Sequence, residues 1–296
     1  MDNLIDGRAI AAEIHAETSV RVQKLKSKGI TPGLVFIRVG EDPASRVYVG
    51  MKEKKSQEIG IDSKTLVLDE QTTQDQLLEI IAAHNADPTI HGILVQAPLP
   101  RHIDETTIYS AVSPHKDVDG FHPVNVGKLM LNQPGGFLPC TPAGVHELLI
   151  RSGIPMEGAE VVVLGRGNIV GKPMAAILIQ KAKDANATVT VCHSRTKNIA
   201  EHCRRADIIV AAIGMPHFVK ADMVKDGVVI MDVGVNRIPD ANTKSGTRLV
   251  GDVEFDTVQP KAKAITPNPG GVGPMTIAML LKNTVQAAEQ SFSADH

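Results

Sequence analysis

In Ala44-Ser45-Arg46-Val47-Tyr48-Val49-Gly50-Met51-Lys52 a phenol ring and a primary amine stand four residues apart. If Ser45 caps a helix there, Tyr48 and Lys52 lie at i and i+4 on one face. A ring of this kind stacks on a flat heteroaromatic molecule, and the amine donates a proton or, once its pKa is lowered, accepts one. The same spacing also suits a lysine stem lying over a half-buried ring. A second chemical motif is Gly165-Arg166-Gly167-Asn168-Ile169-Val170-Gly171, which follows the apolar run 160–164. Glycines at such a strand-to-helix junction permit a tight turn and let the backbone approach a pyrophosphate seated on the helix N-terminus. A ligand-free turn is the alternative; a strand before, a helix after and a further strand about 20 residues on favour a dinucleotide. An NAD site places Asp or Glu at the end of that next strand for the ribose 2′-hydroxyl. This chain has His193-Ser194-Arg195-Thr196 there and no acid until Glu201. A hydroxyl and a guanidinium suit a 2′-phosphate, and Arg166 can join them, so NADP is expected over NAD.

The elements that must hold these groups alternate between helical and strand patterns, as in an α/β fold with parallel sheets. A helix over about 7–28 ends at Gly29, a natural C′ residue. The run 33–39 is β-rich and precedes the Tyr48/Lys52 helix, and 63–68 alternates as a second strand. Thr73 and Gln76 form a capping box ahead of a helix over 77–83. Gly92-Ile93-Leu94-Val95 reads as a buried parallel strand that runs into Gln96-Ala97-Pro98. The Pro- and Gly-rich segment 132–142 resembles a hinge. Beyond it the apolar runs 160–164, 187–192, 208–213 and 228–232, separated by helical segments, suggest a doubly wound nucleotide-binding sheet. Pro274 at N1 opens a last helix, about 275–290, expected to pack back on the first half. Two domains with a cleft between them follow: 1–140 plus 274–296, and 141–273.

Bulk composition agrees and narrows the partners. With 296 residues, 43% of them hydrophobic, the chain can bury a large core. Thirty-one basic against 33 acidic residues leave a net charge of −2, so no bulk field draws nucleic acid or an anionic membrane. Aromatics are 3% with no Trp, a poor base-stacking platform. Cys140, Cys192 and Cys203 lack metal-type spacing and read as free thiols in a reducing compartment. The first residues have no leader pattern, and Pro and Gly interrupt the weakly charged stretch 265–281. A soluble, cytoplasmic protein is expected. The histidines show no ligand spacing, and no metal is assigned.

Seven segments together carry a resemblance: ASRVYVGMKEK, GILVQAPLP, HKDVDGFHPVNVG, PCTPAGV, VVVLGRGNIVGKP, MDVGVNR and ITPNPGGVGPMT, from Ala44 to Thr276. In order and spacing they resemble the bifunctional methylenetetrahydrofolate dehydrogenase/cyclohydrolase family. The chain departs from the usual pattern at Ala97 (QLPLP is more usual), Gly167 (often Ser) and Asn268 (PVPGG is usual). The resemblance implies oxidation of 5,10-methylenetetrahydrofolate with NADP⁺ and hydrolysis of the methenyl product to 10-formyltetrahydrofolate, a step of one-carbon metabolism that feeds purine biosynthesis. It implies a folate-binding catalytic domain, an NADP-binding Rossmann domain and a homodimer. Lys52 matches the catalytic lysine, Tyr48 the tyrosine near the folate, Gln96 the glutamine bonded to that lysine, and Asp119 the carboxylate that holds the pterin. Val95 and Ala97 fall beside them, and Pro269-Gly270-Gly271-Val272-Gly273 resembles the segment lining folate and nicotinamide. Gly165, Arg166, Gly167, Ile169, Ser194, Arg195 and Val235 match cofactor contacts.

The residue types suit that chemistry. A lysine accepts a proton from water if burial, the methenyl cation or Lys55 lowers its pKa from about 10.4. A neutral Gln96 orients the amine without raising its pKa again, and Asp119 matches two adjacent pterin N–H donors. Alternatively, Asp117 and Asp119 form a turn before Gly120, Gln96 caps a strand end, and 267–274 is a rigid connector. A dehydrogenase without hydrolase activity and a non-catalytic NADP-binding module are the competing functions. ATP-dependent formate ligation is not expected, since no G-x-x-x-x-G-K-[ST] is present.

Overall fold

The computed structural model describes residues 3–243 and 246–294. The chain begins with helix α1 (Gly7–Lys26), strand β1 (Gly33–Val39), α2 (Pro43–Glu58), β2 (Asp62–Leu68), α3 (Gln74–Ala86) and β3 (Gly92–Val95). Three helices follow, α4 (Glu105–Ala111), α5 (Pro123–Met130) and α6 (Cys140–Arg151). Then come β4 (Glu160–Leu164), α7 (Gly171–Leu178), β5 (Thr188–Cys192), α8 (Ile199–Arg205), β6 (Ile208–Ala211) and β7 (Val228–Asp232). The last elements are β8 (Asn236–Pro239), β9 (Thr247–Val250), α9 (Phe255–Val258), β10 (Ala262–Ile265) and α10 (Val272–Ala294). The fold is α/β, and the chain divides into two compact units.

One unit comprises Ala12–Cys140 with the chain from Ile277 onward. Its sheet is parallel, in the order β2-β1-β3, with Leu34 opposite Gly92 and Gly33 opposite Asp62. Every residue of β1 is buried, which is why its sequence GLVFIRV is apolar without alternation apart from Arg38, whose guanidinium donates to the Gly40 carbonyl. Val35, Ile37, Ile93 and Val95 pack with Leu77 and Ile81 of α3 and Ile108 of α4. The capping box of α3 forms as its sequence requires, Gln76 N–H donating to Thr73 Oγ1 and Thr73 N–H to Gln76 Oε1. The cap of α2, expected at Ser45, is Asp42: its carboxylate accepts the Ser45 N–H at 2.7 Å, and Pro43 takes the first turn. Ser45 lies inside the helix, its hydroxyl donating to the Ala97 carbonyl at 3.3 Å.

The other unit holds Thr141–Thr276 and the residues up to Ala11. Its five parallel strands run β10-β7-β6-β4-β5, so the chain leaves β4 toward the edge strand β5 and returns to the central strand β6 on the other side. Ligands in such sheets bind beyond the C-terminal strand ends where the order reverses. The fifth strand, β10, was not anticipated, because Ala262-Lys263-Ala264-Ile265 is only four residues long and carries a lysine and two alanines rather than a β-branched run. The expected division left the first residues with the other unit. Here Ile5 N–H donates to Ile265 O and Ile265 N–H to Asn3 O, each at 2.9 Å, while the Asn3 amide reaches the carbonyls of Gln259 and Ala262. These bonds bring the N-terminal segment to the β10 edge. The last helix starts at Val272, two residues ahead of Pro274, which still falls in the first turn where a missing N–H costs nothing.

Candidate active site

Helix α2 buries Ser45, Val49, Lys52 and Ser56 along one stripe. Lys52 thus occupies a core position and is only 4% exposed. Its Nζ donates to Gln96 Oε1 at 3.0 Å and sits 4.6 Å from the centroid of the half-buried Tyr48 ring. Gln96 is the residue that leaves β3; its N–H donates to Ile37 O at 2.8 Å and its Nε2 to Ala97 O at 2.6 Å. With the nitrogen so engaged, the amide oxygen is aimed at the lysine. Burial lowers the Lys52 pKa, opposed chiefly by the neighbouring Asp119 carboxylate. Lys55, expected to push the same way, is instead ion-paired with Glu58.

The two aspartates of Lys116-Asp117-Val118-Asp119 part company. Asp117 accepts from Phe121 N–H at 3.2 Å and from His122 N–H and Asn125 Nδ2 at 2.8 Å each, so it closes the turn as one alternative foresaw. Burial pushes it up to about 6 against those bonds. Asp119 makes no such turn. Burial raises its pKa, with the Lys52 charge and the neighbouring Cys140 thiol, which donates to Val118 O at 3.3 Å, pulling the other way. Burial also drives the Cys140 thiol well above its ordinary value. Lys52, Gln96, Tyr48, Asp119 and Cys140 form one cluster in which amine, carboxyl and thiol are all biased toward neutrality. Gly120 makes this possible: its φ is +78°, and a Cβ there would come within 2.7 Å of the Leu138 and Pro139 backbone. Asn283 of α10 braces the same place, donating to Val118 O at 2.8 Å and Leu138 O at 3.0 Å. Cys140 and Asn283 escaped the sequence reading, because only the tertiary fold brings them to Asp119. Val95 is buried and Ala97 half-buried beside Gln96.

The second cluster lies beyond β4, β5 and β6. A cavity of about 370 Å³ is lined by Gly165, Arg166, Gly167, His193, Ser194 and Met215, among others. Gly165 has φ +113°, and a Cβ there would strike the Ala212 carbonyl; one at Gly171 would strike Gly165 O. Gly167 faces open space. This glycine cradle fits a pyrophosphate passing over the start of α7, whose N-cap Val170 contributes no side-chain hydrogen bond. His193–Thr196 is a tight turn, His193 N–H donating to Thr196 Oγ1 at 2.9 Å and Arg195 N–H to His193 Nδ1 at 3.1 Å. It leaves Ser194 and Arg195 exposed, as Arg166 is. Those side chains would hold a 2′-phosphate. Ile169 and Val235 are 56% and 68% exposed. The loop Pro269-Gly270-Gly271 is closed by Gly271 N–H to Pro267 O at 2.9 Å, and Asn268 donates its amide to the Gly234 carbonyl. Among the described residues no group of three His, Cys, Asp or Glu could hold a metal.

Comparison with known proteins covers both clusters. Residues 5–119 match the catalytic domain of tetrahydrofolate dehydrogenase/cyclohydrolase, and residues 139–292 match its NAD(P)-binding domain. The bifunctional protein FolD of Acetivibrio thermocellus is 55% identical over 286 residues, 97% of this chain and 96% of that protein. The crystal structure of the bifunctional FolD methylenetetrahydrofolate dehydrogenase/cyclohydrolase from Campylobacter jejuni superposes with a TM-score of 0.92 at 49% identity, covering 97% and 98% of the two chains. The Trypanosoma brucei dehydrogenase-cyclohydrolase, solved with NADP and an inhibitor, gives a TM-score of 0.92 at 41% identity over 98% of each chain.

Proposed function

The chain belongs to the tetrahydrofolate dehydrogenase/cyclohydrolase family, and from that membership we infer how its residues divide the reaction. It oxidises 5,10-methylenetetrahydrofolate to 5,10-methenyltetrahydrofolate with NADP⁺ and hydrolyses the product to 10-formyltetrahydrofolate, in one-carbon metabolism. The unit built on Ala12–Cys140 binds the folate and performs catalysis, and the unit built on Thr141–Thr276 binds NADP. The observation that carries this assignment is the buried Lys52 amine held at 3.0 Å by a neutral amide oxygen.

NADP⁺, when bound, accepts the hydride that leaves the methylene carbon. For that step the protein supplies position: Tyr48 offers a stacking face, and the Asp119 carboxyl pairs with adjacent pterin N–H groups. Val95 and Ala97 border the folate. Gly165, Gly167 and Ile169 would hold the dinucleotide at the glycine loop, Arg166, Ser194 and Arg195 would bind its 2′-phosphate, and Val235 would contact it from the loop after β7. For hydrolysis, neutral Lys52 takes a proton from water as oxygen bonds to the methenyl carbon. Its ammonium then returns a proton to the pterin nitrogen as the carbon–nitrogen bond breaks and the adduct hydroxyl loses its own. One proton is released for each water consumed, and Gln96 holds the amine throughout.

Lys52→Met tests the assignment. Loss of absorbance by methenyltetrahydrofolate, followed without NADP⁺, should slow by about 10²- to 10⁴-fold after subtraction of the spontaneous rate. Dinucleotide affinity should be unchanged. Hydrolysis at the wild-type rate would remove Lys52 from the mechanism.

The protein acts as a cytoplasmic homodimer that supplies formyl groups to purine biosynthesis, without nucleic-acid or membrane partners. The near-neutral charge of −2 supports the expectation of no nucleic-acid partner, and among the described residues no helix is long and apolar enough to cross a membrane. Light scattering on the purified protein tests the dimer; a monomeric mass would exclude it.

A further inference from the structure

Two carboxylates outside the catalytic cluster are buried where the loops around the glycine-lined cavity meet. Asp232, at the end of β7, is 4% exposed, and Asp252 is fully buried. One oxygen of Asp252 accepts the backbone N–H groups of Ile213 at 2.7 Å and Gly214 at 3.0 Å, in the loop after β6. Its other oxygen accepts Asn236 Nδ2 at 2.8 Å, after β7. Asp232 in turn holds Asp252: it accepts the N–H groups of Asp252 at 2.9 Å, Val253 at 3.1 Å and Gly234 at 3.1 Å. The packing is reciprocal. A Cβ on Gly234 would strike the Asp252 carboxyl, and one on Gly251 would strike that of Asp232. Burial pushes Asp232 up to about 7, with the Asp252 charge adding to the effect against the three N–H bonds.

Such a cluster is expensive to bury and does more than close a turn. Ile213 and Met215 line the cavity, so the loop that Asp252 holds is one of its walls. Val235 lies between Gly234, anchored on Asp232, and Asn236, anchored on Asp252; its exposed side chain is therefore projected from a fixed backbone.

We propose that Asp252, seated on Asp232, is a positioning residue for the dinucleotide, fixing the wall after β6 and the Val235 loop after β7 as one rigid rim. This rests on the reading of the cavity as the NADP site. Neither carboxylate touches the ligand; each acts through backbone it holds.

The experiment compares Asp252→Ala, Asp252→Asn and Asn236→Ala, measuring kcat and KM for NADP⁺ and NAD⁺ in the oxidation, and methenyl hydrolysis without dinucleotide. Asp252→Ala should raise KM for both dinucleotides about tenfold or more, because the lost feature is a wall common to both. Hydrolysis by the same preparation should fall much less. In Asp252→Asn the amide oxygen still accepts from Ile213 and Gly214 while Asn236 turns its own oxygen toward the new NH₂, so KM should return to within about threefold of wild type. If Asp252→Ala yields no folded protein, Asn236→Ala, which removes one arm, should still raise both KM values about two- to fivefold. Parallel loss of oxidation and hydrolysis would reduce the pair to a scaffold role, and unchanged KM values would refute the proposal outright. If Arg195→Ala also leaves the KM for NADP⁺ unchanged, the cavity itself has been misassigned; if Arg195→Ala raises it and Asp252→Ala does not, only the positioning role falls.

Discussion

At the scale of single residues, the Lys52 environment sets the direction of a pH profile. In the proposed mechanism the neutral amine is the working form, and burial lowers its pKa. Hydrolysis should therefore rise with pH and level off below the ordinary lysine value of about 10.4. Gln96→Glu would place a carboxylate at the amine, stabilise the ammonium and move that inflection to higher pH; a profile unmoved in Gln96→Glu would deny the contact any role. Arg195 has a separate signature. Arg195→Ala should raise KM for NADP⁺ about tenfold or more while changing that for NAD⁺ little, since only one of them carries the 2′-phosphate. Equal losses would contradict the assignment. Tyr48, Lys52 and the Gly165–Gly171 glycines were legible because helix spacing and turn geometry act within a few residues. Asp119 and Gln96 came from the resemblance alone. Cys140, Asn283, Asp232 and Asp252 were hidden, because each acquires its partners through contacts far along the chain, as with Asn283 and Val118, 165 residues apart.

At the scale of elements, local chemistry predicts well where nothing competes with it. Thr73 and Gln76 share two hydrogen bonds at an exposed helix start. Thr73→Ala should cost about 1 kcal/mol in denaturant unfolding and leave both KM values unchanged. A loss of activity beyond that of folded protein would mean α3 does more than support the sheet. The α2 start shows the limit of such reading. Asp42-Pro43 and Ser45 are both credible caps, and the proline's fixed φ decides for the earlier one. Strand β10 and the antiparallel β8–β9 pair were missed for a different reason. Each strand is four residues long, too short to show a period, and is made by its neighbours.

At the scale of the whole molecule, buried titratable groups pull stability in opposite directions. Asp117 and Asp232 have folded pKa values raised to about 6 and about 7, so their contribution is present in acid and is lost as pH rises through those values. His15 behaves oppositely. Burial, with Lys55 nearby, lowers it to about 4, and its Nδ1 has no hydrogen-bond partner among the described residues. The unfolded chain binds that proton more tightly, so stability is lost as pH falls below about 6.5 toward 4. His15→Gln should therefore gain about 1–2 kcal/mol relative to wild type at pH 5 compared with pH 7, read from unfolding curves. An equal offset at both pH values would show that His15 does not titrate on unfolding. The core-facing stripe of α2 has its own consequence for anyone who would harden this enzyme. Its amine-bearing position is the one an engineer would fill with a greasy side chain, and Lys52→Met should melt higher than the parent. If Lys52 plays the role proposed above, the same substitution that hardens the helix silences hydrolysis, so a higher melting temperature and a lost activity should appear together in one variant.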